Sequence, residues 1–453
     1  MMIQALTAQP SKDFTPSVEN MTMITIKKSS DNFEREPLRA PFGFKGGYLG
    51  ELWQTVACLT DDAGRSGVGL GTQSILWSDA AVFTANSEAA GNCLMYMMSA
   101  FALRRAVGMS FKTPLELLDR LLPETHAYGQ KLSGNPDLRL TFALNALVAV
   151  DNAAWQLYAA ANGCRNFDAA IPSEFHSALS ARHTQIACIP LLSYGVPVPE
   201  IRRSVQEDGF FFFKIKIGCD PDGDGDREKM LAWDMQRLAD IHYVLKDLTT
   251  PHTTTGRIPY YLDANGRYDN KDRLCRLLDH AAKIGALERI VLLEEPFPEE
   301  MEQDVSDLPV RLAADESAHS AEDARRLMDM GYSAIALKPI AKTLSMSLRI
   351  ARLAAERQVP CFCADLTVNP VLVDWNKNVA ARLAPLPGMT IGVLETNGHQ
   401  NYRNWDDMVR RHPCHGAPWT TPVRGVFNLD DDFYSRSGGI FMTDSHYSGL
   451  VQA

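Results

Sequence analysis

The chain has 453 residues, 45% of them apolar and 22% charged, which is enough for a large buried core and excludes global disorder. Its net charge of −10 argues against binding a phosphate backbone, and no run of 18 apolar residues marks a membrane span. The nine cysteines follow no framework and the opening Met1–Leu6 lacks a signal-peptide pattern, so the expectation is a reducing, cytoplasmic setting.

Residues 1–20 read as a polar, loosely ordered arm. Met21–Ile26 alternates, and Gly50–Leu59 with Ser66–Leu70 flanks an Asp61-Asp62-Ala63-Gly64 turn, the pattern of a hairpin. Helical spacing follows near Ser87–Val107, Pro114–Leu121 and Arg139–Ala161. This opening third is α+β.

From Ile189 the rhythm changes. Eight short apolar runs alternate with helical stretches: Ile189–Ser193, Phe211–Ile217, Tyr260–Asp263, Ile290–Glu294, Arg311–Ala314, Ala334–Lys338, Pro360–Ala364 and Thr390–Leu394. Strands separated by helices pair in parallel, and eight is the number that closes a barrel. Ser320 with Asp323 three positions on predicts a capped helix ending before Gly331. Leu238, Ile241, Leu245 and Leu248 recur at helical spacing and predict a helix face against the sheet. The Thr249–Thr255 stretch suggests no role. The chain after Asn397 is aromatic, proline-rich and irregular.

Five of the apolar runs end in charge: Lys214 and Lys216, Asp263, Glu294, Asp315, and Lys338. The last three intervals, 21 to 31 residues, are what a strand, a helix and two loops occupy in such a barrel. Charge at the carboxyl ends of barrel strands lies on the rim that carries active sites. Three carboxylates brought together repel unless a cation compensates them, and hard oxygen ligands favour Mg²⁺, with Mn²⁺ as a substitute. Lys214 and Lys216 are two apart and face the same side of their strand, where an interior holding a metal-bound anion suits them. Lys338 lies across the barrel from Lys216; Lys342, in the following loop, is the weaker candidate.

Two other motifs look functional and read otherwise. Asp220-Pro-Asp222-Gly-Asp224-Gly225 opens like a calcium loop, but its twelfth position is Leu231 and not a glutamate. Cys361 and Cys363 share a strand face without a second cysteine pair, so they read as apolar core.

The runs Lys214-Ile215-Lys216, Asp263-Ala264-Asn265, Glu294-Glu295-Pro296, Ala314-Asp315-Glu316-Ser317 and Leu337-Lys338-Pro339 resemble the enolase superfamily. Within it the closest likeness is to the mandelate racemase/muconate lactonizing enzyme family, in its muconate-lactonizing-enzyme-like, two-lysine branch. Ala149–Trp155 is similar to that family's helix leading from cap to barrel. The resemblance implies an α/β protein: a modified (β/α)7β TIM-type barrel under an α+β capping domain. The corresponding division is an arm at 1–20, a cap at 21–170, a barrel at 171–400, and a 401–453 segment returning to the cap.

The resemblance also implies Mg²⁺ held by Asp263, Glu294 and Asp315. Lys216 and Lys338 would be acid/base catalysts on opposite faces of a small carboxylate substrate, and Lys214 would add positive charge near it. Asn265, Glu295, Glu316, Asp365 and Glu395 stand as substrate-contacting or supporting positions, with His399 a further loop candidate. The expected reaction is proton abstraction α to the carboxylate through an enediolate, as a racemase or epimerase. The alternatives are a dehydratase/lyase or muconate-type cycloisomerase at the same site, a Schiff-base aldolase using Lys338, and a non-catalytic relative. Relatives commonly form homo-oligomers.

Three departures bear on substrate. Thr343-Leu344-Ser345 replaces the family's glycine pair after the sixth-strand lysine. The eighth strand, Ile391–Glu395, lacks the Asp-x-Asp of dipeptide epimerases, and the seventh, Cys361–Asp365, has no histidine for a His-Asp dyad. Lys45-Gly46-Gly47-Tyr48 falls where the family's cap carries a specificity loop.

Overall fold

The alternation after Met21 develops into the strand Ile24–Phe44, paired antiparallel with Gly47–Asp61, which pairs in turn with Ser66–Gln73. A computed structural model provides these coordinates and describes residues 21–44 and 47–452, so the 1–20 arm and Lys45-Gly46 lie outside the described residues. The hairpin turn is fixed by Asp61, whose Oδ1 accepts the backbone N–H of Ala63 (3.0 Å) and Arg65 (2.8 Å). Short Ser110–Phe111 completes a four-stranded sheet.

Three helices cover it: Glu88–Ala106, Pro114–Ser133 and Leu140–Asn162. Each starts where expected. The second runs twelve residues past Leu121, because Pro123 interrupts the sequence pattern without breaking the helix. Leu140–Asn162 is buried along almost its whole length, and it lies unusually close to the sheet. Gly67, Gly69 and Gly71 make that approach possible. A Cβ on Gly69 would stand 2.0 Å from the Ala149 carbonyl oxygen and 2.2 Å from the Ala153 nitrogen.

The second sheet contains eight parallel strand segments that follow one another round a barrel: Gln185–Leu192, Phe213–Lys216, Tyr260–Asp263, Ile290–Glu294, Leu312–Ala314, Ala334–Leu337, Cys361–Cys363 and Gly392–Glu395. Closure falls at Pro190. Gln185–Ile189 before it pairs with Gly392–Glu395, and Leu191–Leu192 after it pairs with Phe213–Lys216. The first strand therefore begins earlier than the sequence pattern suggested, since proline breaks the run and shifts the apparent start. An antiparallel strand, Val426–Asn428, is added outside Gln185–Ile189.

The helix signals hold. Ser320 and Asp323 form a reciprocal capping box at the start of Ala321–Asp329, and Gly331 takes φ +97° beyond its end. Leu238, Ile241 and Leu245 are buried on the helix Arg227–Leu245, while Leu248 lies just past it, half-buried. Asp222 and Asp224 of the acidic turn pair with Lys229, each at 2.6 Å. Thr249–Thr255 closes the amino-terminal end of the barrel: Thr253 bridges Met389, and the His252 ring lies 4.6 Å from that of Phe211. The C-terminal helix Ser445–Val451 packs on the first sheet, where Ser30 Oγ donates to the Val451 carbonyl (2.7 Å) and Asn32 Nδ2 to that of Leu450 (2.9 Å). Among the described residues no helix is long and apolar enough to cross a membrane.

Candidate active site

Strand register assembles the charged residues. Lys216 pairs with Asp263 and Asp263 with Glu294, so these three form one rung at the carboxyl ends of neighbouring strands. Lys214 and Tyr261 sit one rung lower on the same face, because side chains alternate along a strand. Asp315 and Lys338 each follow the last residue of the next two strands. Asp263, Glu294, Asp315, Lys214 and Lys338 are all at most 3% exposed.

The lysines and acids are interlocked. Lys214 Nζ lies 3.0 Å from Asp263, 2.9 Å from Glu294 and 3.0 Å from Glu395, which ends the eighth strand. Lys216 Nζ is 2.6 Å from Asp263 Oδ2 and also donates to Asn265 Oδ1. Lys338 donates to the Asp315 carboxylate across the cluster. Burial opposes the charge on Lys214, but Asp263, Glu294 and Glu395 outweigh it and raise its pKa well above the ordinary lysine value. Lys338 is raised in the same way, by Asp315 against burial. Asp263 and Asp315 are held below the usual carboxylate range, since their lysine partners overcome burial.

In other acids here burial outweighs any pairing. Burial, with Asp315 and Glu395 adding repulsion, pushes Glu294 up to about 8. Burial and Glu316 push Glu295 to about 8, and burial with Glu395 pushes Asp365 to about 7. Seven buried carboxyl groups (Asp263, Glu294, Glu295, Asp315, Glu316, Asp365 and Glu395) face Lys214, Lys216, Lys338 and Lys342. Such an excess of acid in a low-dielectric site calls for additional positive charge.

Each sequence candidate has a place. Asn265, at φ +44°, links Lys216 to Glu316 by donating from Nδ2 at 2.9 Å. Glu295 turns away from Glu294, as its neighbouring position requires, and accepts the Asp315 backbone N–H at 2.7 Å. Asp365 accepts the N–H of Asn397 at 2.7 Å, and its own N–H donates to Glu395. His399 is not in the cluster; its ring stacks on Phe210 with centroids 6.3 Å apart. Phe211 to Phe213 are core. Cys361 and Cys363 are buried in their strand, with burial pushing the Cys361 thiol up to about 12.

Sequence reasoning underrated one participant and missed another. Lys342, taken as a loop residue, is fully buried on the short helix Pro339–Lys342, donating to the carbonyls of Asp315 and Ala318. Its spacing of four from Lys338 was the available signal, because i and i+4 share a helix face. Trp77 comes from the cap, on the short helix Ile75–Ser78, and its ring lies 4.7 Å from Lys338 Nζ. Asn145 fixes that helix through Ser74 N–H (2.9 Å) and Ser78 Oγ (3.1 Å). Between cap and barrel, Leu49, Leu52, Trp77 and Leu191 close over the lysines, Asp365 and Glu395, leaving a cavity of about 40 Å³.

The glycine pair's replacement has its own support. Thr343 stands at φ +72°, ψ 152°, a region strained for any side chain, and its Oγ1 accepts the Met346 N–H. Asp151, on the cap helix, accepts both the N–H (3.1 Å) and the hydroxyl (2.5 Å) of Ser345.

Residues 198–413 match the family model described as enolase C-terminal domain-like. The barrel is of the enolase type. Solved structures carry the same fold over nearly the whole chain. A mandelate racemase/muconate lactonizing protein from Herpetosiphon aurantiacus superposes with a TM-score of 0.64 at 16% identity, covering 90% of this chain and 96% of its own. A dipeptide epimerase from Enterococcus faecalis V583, solved with Mg and L-Leu-L-Tyr, gives 0.59 at 16% identity, covering 90% and 97%. An N-succinyl Arg/Lys racemase from Bacillus cereus gives 0.59 at 15%, covering 84% and 89%. No curated protein sequence matches the chain.

The donor set fits a divalent cation. Glu294, Asp315 and Glu316 each present a carboxylate oxygen, all within 4.8 Å of one another. Asp315 Oδ1 is buried and accepts no hydrogen bond, its nearest cation being Lys342 Nζ at 3.4 Å. Asp263, expected as the third ligand, has its Oδ2 3.0 Å from Lys214 and 2.6 Å from Lys216, and Glu316 stands beside Glu294 and Asp315 in this grouping.

Proposed function

We propose that the protein removes the proton α to the carboxylate of a small organic acid and returns it to the other face, as a Mg²⁺-dependent racemase or epimerase. The order of charge round the rim carries this reading: lysines on the second and sixth strands flank three strands that end in acid. Racemases and epimerases among the structural neighbours support chemistry of this general kind, and their substrates remain theirs.

Deprotonating such a carbon puts a second negative charge on the carboxylate oxygens. Positive groups already fixed where that charge develops stabilise it, and loss of one such contact costs about 3 kcal/mol. Lys214 stands below the rung as one such group. Lys216 and Lys338 stand on either side, so the Nζ of one takes the proton and that of the other delivers it. A divalent cation on Glu294 and Asp315, with Glu316 or Asp263, would add charge at the substrate carboxylate and relieve the Asp315 pairing that holds Lys338 charged. Trp77, Leu49 and Leu52 give the site an apolar wall on the cap side.

The test is interconversion of enantiomers or epimers in a library of small acids. Lys216→Ala and Lys338→Ala should each abolish it, with each variant retaining solvent exchange for only one of the two stereoisomers. Product lighter by one water would assign elimination, and interconversion surviving in either variant would refute the two-base layout.

A further inference from the structure

Asn265 lines two cavities. The one described above is lined by three lysines, Lys214, Lys216 and Lys338, and two acids, Asp365 and Glu395. The other, about 500 Å³, also lies between the first-domain helices and the barrel loops, and its lining is predominantly acidic. Six acids face it: Asp79 and Asp137 from the first domain, and Glu295, Glu299, Glu300 and Glu316 from the barrel. Among the described residues Arg139 is its single lining cation, and it is paired with Glu299, which also lies 2.9 Å from His319.

This acidic cavity reaches the carboxylate cluster at one member, Glu316. Glu316 lines it, and Glu316 belongs with Glu294 and Asp315 to the group whose oxygens lie within 4.8 Å. Asp315 Oδ1, buried in that group, accepts no hydrogen bond. Asn265 forms the partition, with Nδ2 on Glu316 and Oδ1 on Lys216. A cation crossing the lysine cavity would pass three ammonium groups, whereas the acidic cavity draws cations inward, and clefts of one sign raise association rates by roughly 10 to 10³.

We propose that the divalent cation reaches its carboxylates through this acidic cavity, while the anionic substrate enters through the lysine cavity. The inference rests on the cation reading of the site given above. The Arg139–Glu299 pair, which spans first domain and barrel, is the barrier along the cation's path. Metal exchange with substrate in place follows from this arrangement.

The test follows Mn²⁺ binding and EDTA-chased release in the full chain by rapid mixing, without any substrate. Ala81→Trp places a large ring in the acidic cavity from an exposed position. It should slow association and release together by about tenfold or more while leaving the equilibrium affinity within about twofold, because a barrier alters rates and not end states. Asp137→Asn with Glu300→Gln, both exposed, should slow association and weaken its salt dependence. Leu49→Trp, which fills the lysine cavity instead, should leave both rates unchanged. Unaltered rates in Ala81→Trp, or slowing only in Leu49→Trp, would overturn the route while leaving the cation site standing. Failure of the unmodified chain to bind Mn²⁺ would overturn the cation reading and the route with it.

Discussion

Replacing Gly69 with alanine tests the packing that carries the site. Gly67, Gly69 and Gly71 place three consecutive inward positions of one strand against Ala149 and Ala153 of the helix Leu140–Asn162. A Cβ at Gly69 would meet backbone oxygen and nitrogen at 2.0 and 2.2 Å, more than 1 Å inside van der Waals contact, and no rotamer change relieves backbone. The helix must shift. Overpacking of this kind costs about 1–3 kcal/mol where side chains can adjust, so about 3 kcal/mol or more is expected here. If the first domain melts as its own unit, Tm falls by on the order of 6–12 °C. The same helix holds Asn145 against the Trp77 helix and Asp151 against Ser345, so turnover should fall as well. Gly50→Ala is the control, since its Cβ would meet only Glu88 Oε2 at 3.5 Å, and Tm should stay within about 1 °C. Differential scanning fluorimetry decides it. A Gly69→Ala protein that melts with the unmodified chain would refute the close-approach argument.

Two further outcomes follow from buried polar groups. Asp151→Ala leaves the Ser345 N–H and hydroxyl without their acceptor in a buried setting, at about 1–3 kcal/mol each, and Tm should drop accordingly; an unchanged Tm would mean the link contributes nothing. His399 has its pKa pushed down to about 4 by burial and by Arg39, below its ordinary 6.5. A depressed folded-state pKa contributes stability that is complete above pH 6.5 and is lost as pH falls toward 4. The loss is bounded by about 3 kcal/mol and reduced by solvent at the half-buried ring. His399→Phe should flatten the melting profile between pH 6.5 and 4, and a variant with the parent's profile would contradict this.

The charged rim was legible because apolar strands ending in Lys, Asp, Glu, Asp and Lys leave those side chains only one end of a parallel barrel. Strand period placed Lys214 with Lys216, and adjacency turned Glu295 away from Glu294. The strand Ile24–Phe44 was mostly illegible: beyond Ile26 it is polar, half-exposed and contains Pro37, so alternation gives no signal. Pro190 hid the start of the first barrel strand. Trp77 was beyond reach because it acts across the interface between first domain and barrel, through a short helix held by Asn145. Glu316 stands with Glu294 and Asp315 in the carboxylate group, a proximity across strands that no spacing reveals. Thr343 and Ser345 read as a departure from a glycine pair; the structure accommodates them with a positive φ and with the Asp151 acceptor.

The most direct measurement is deuterium incorporation at the α-carbon of pooled small carboxylic acids in D₂O, with Mg²⁺ and with EDTA, followed by NMR and mass spectrometry. The account predicts exchange in at least one acid that requires the metal and disappears in EDTA. Exchange that persists in EDTA, or no exchange in any pool with Mg²⁺ present, would contradict it.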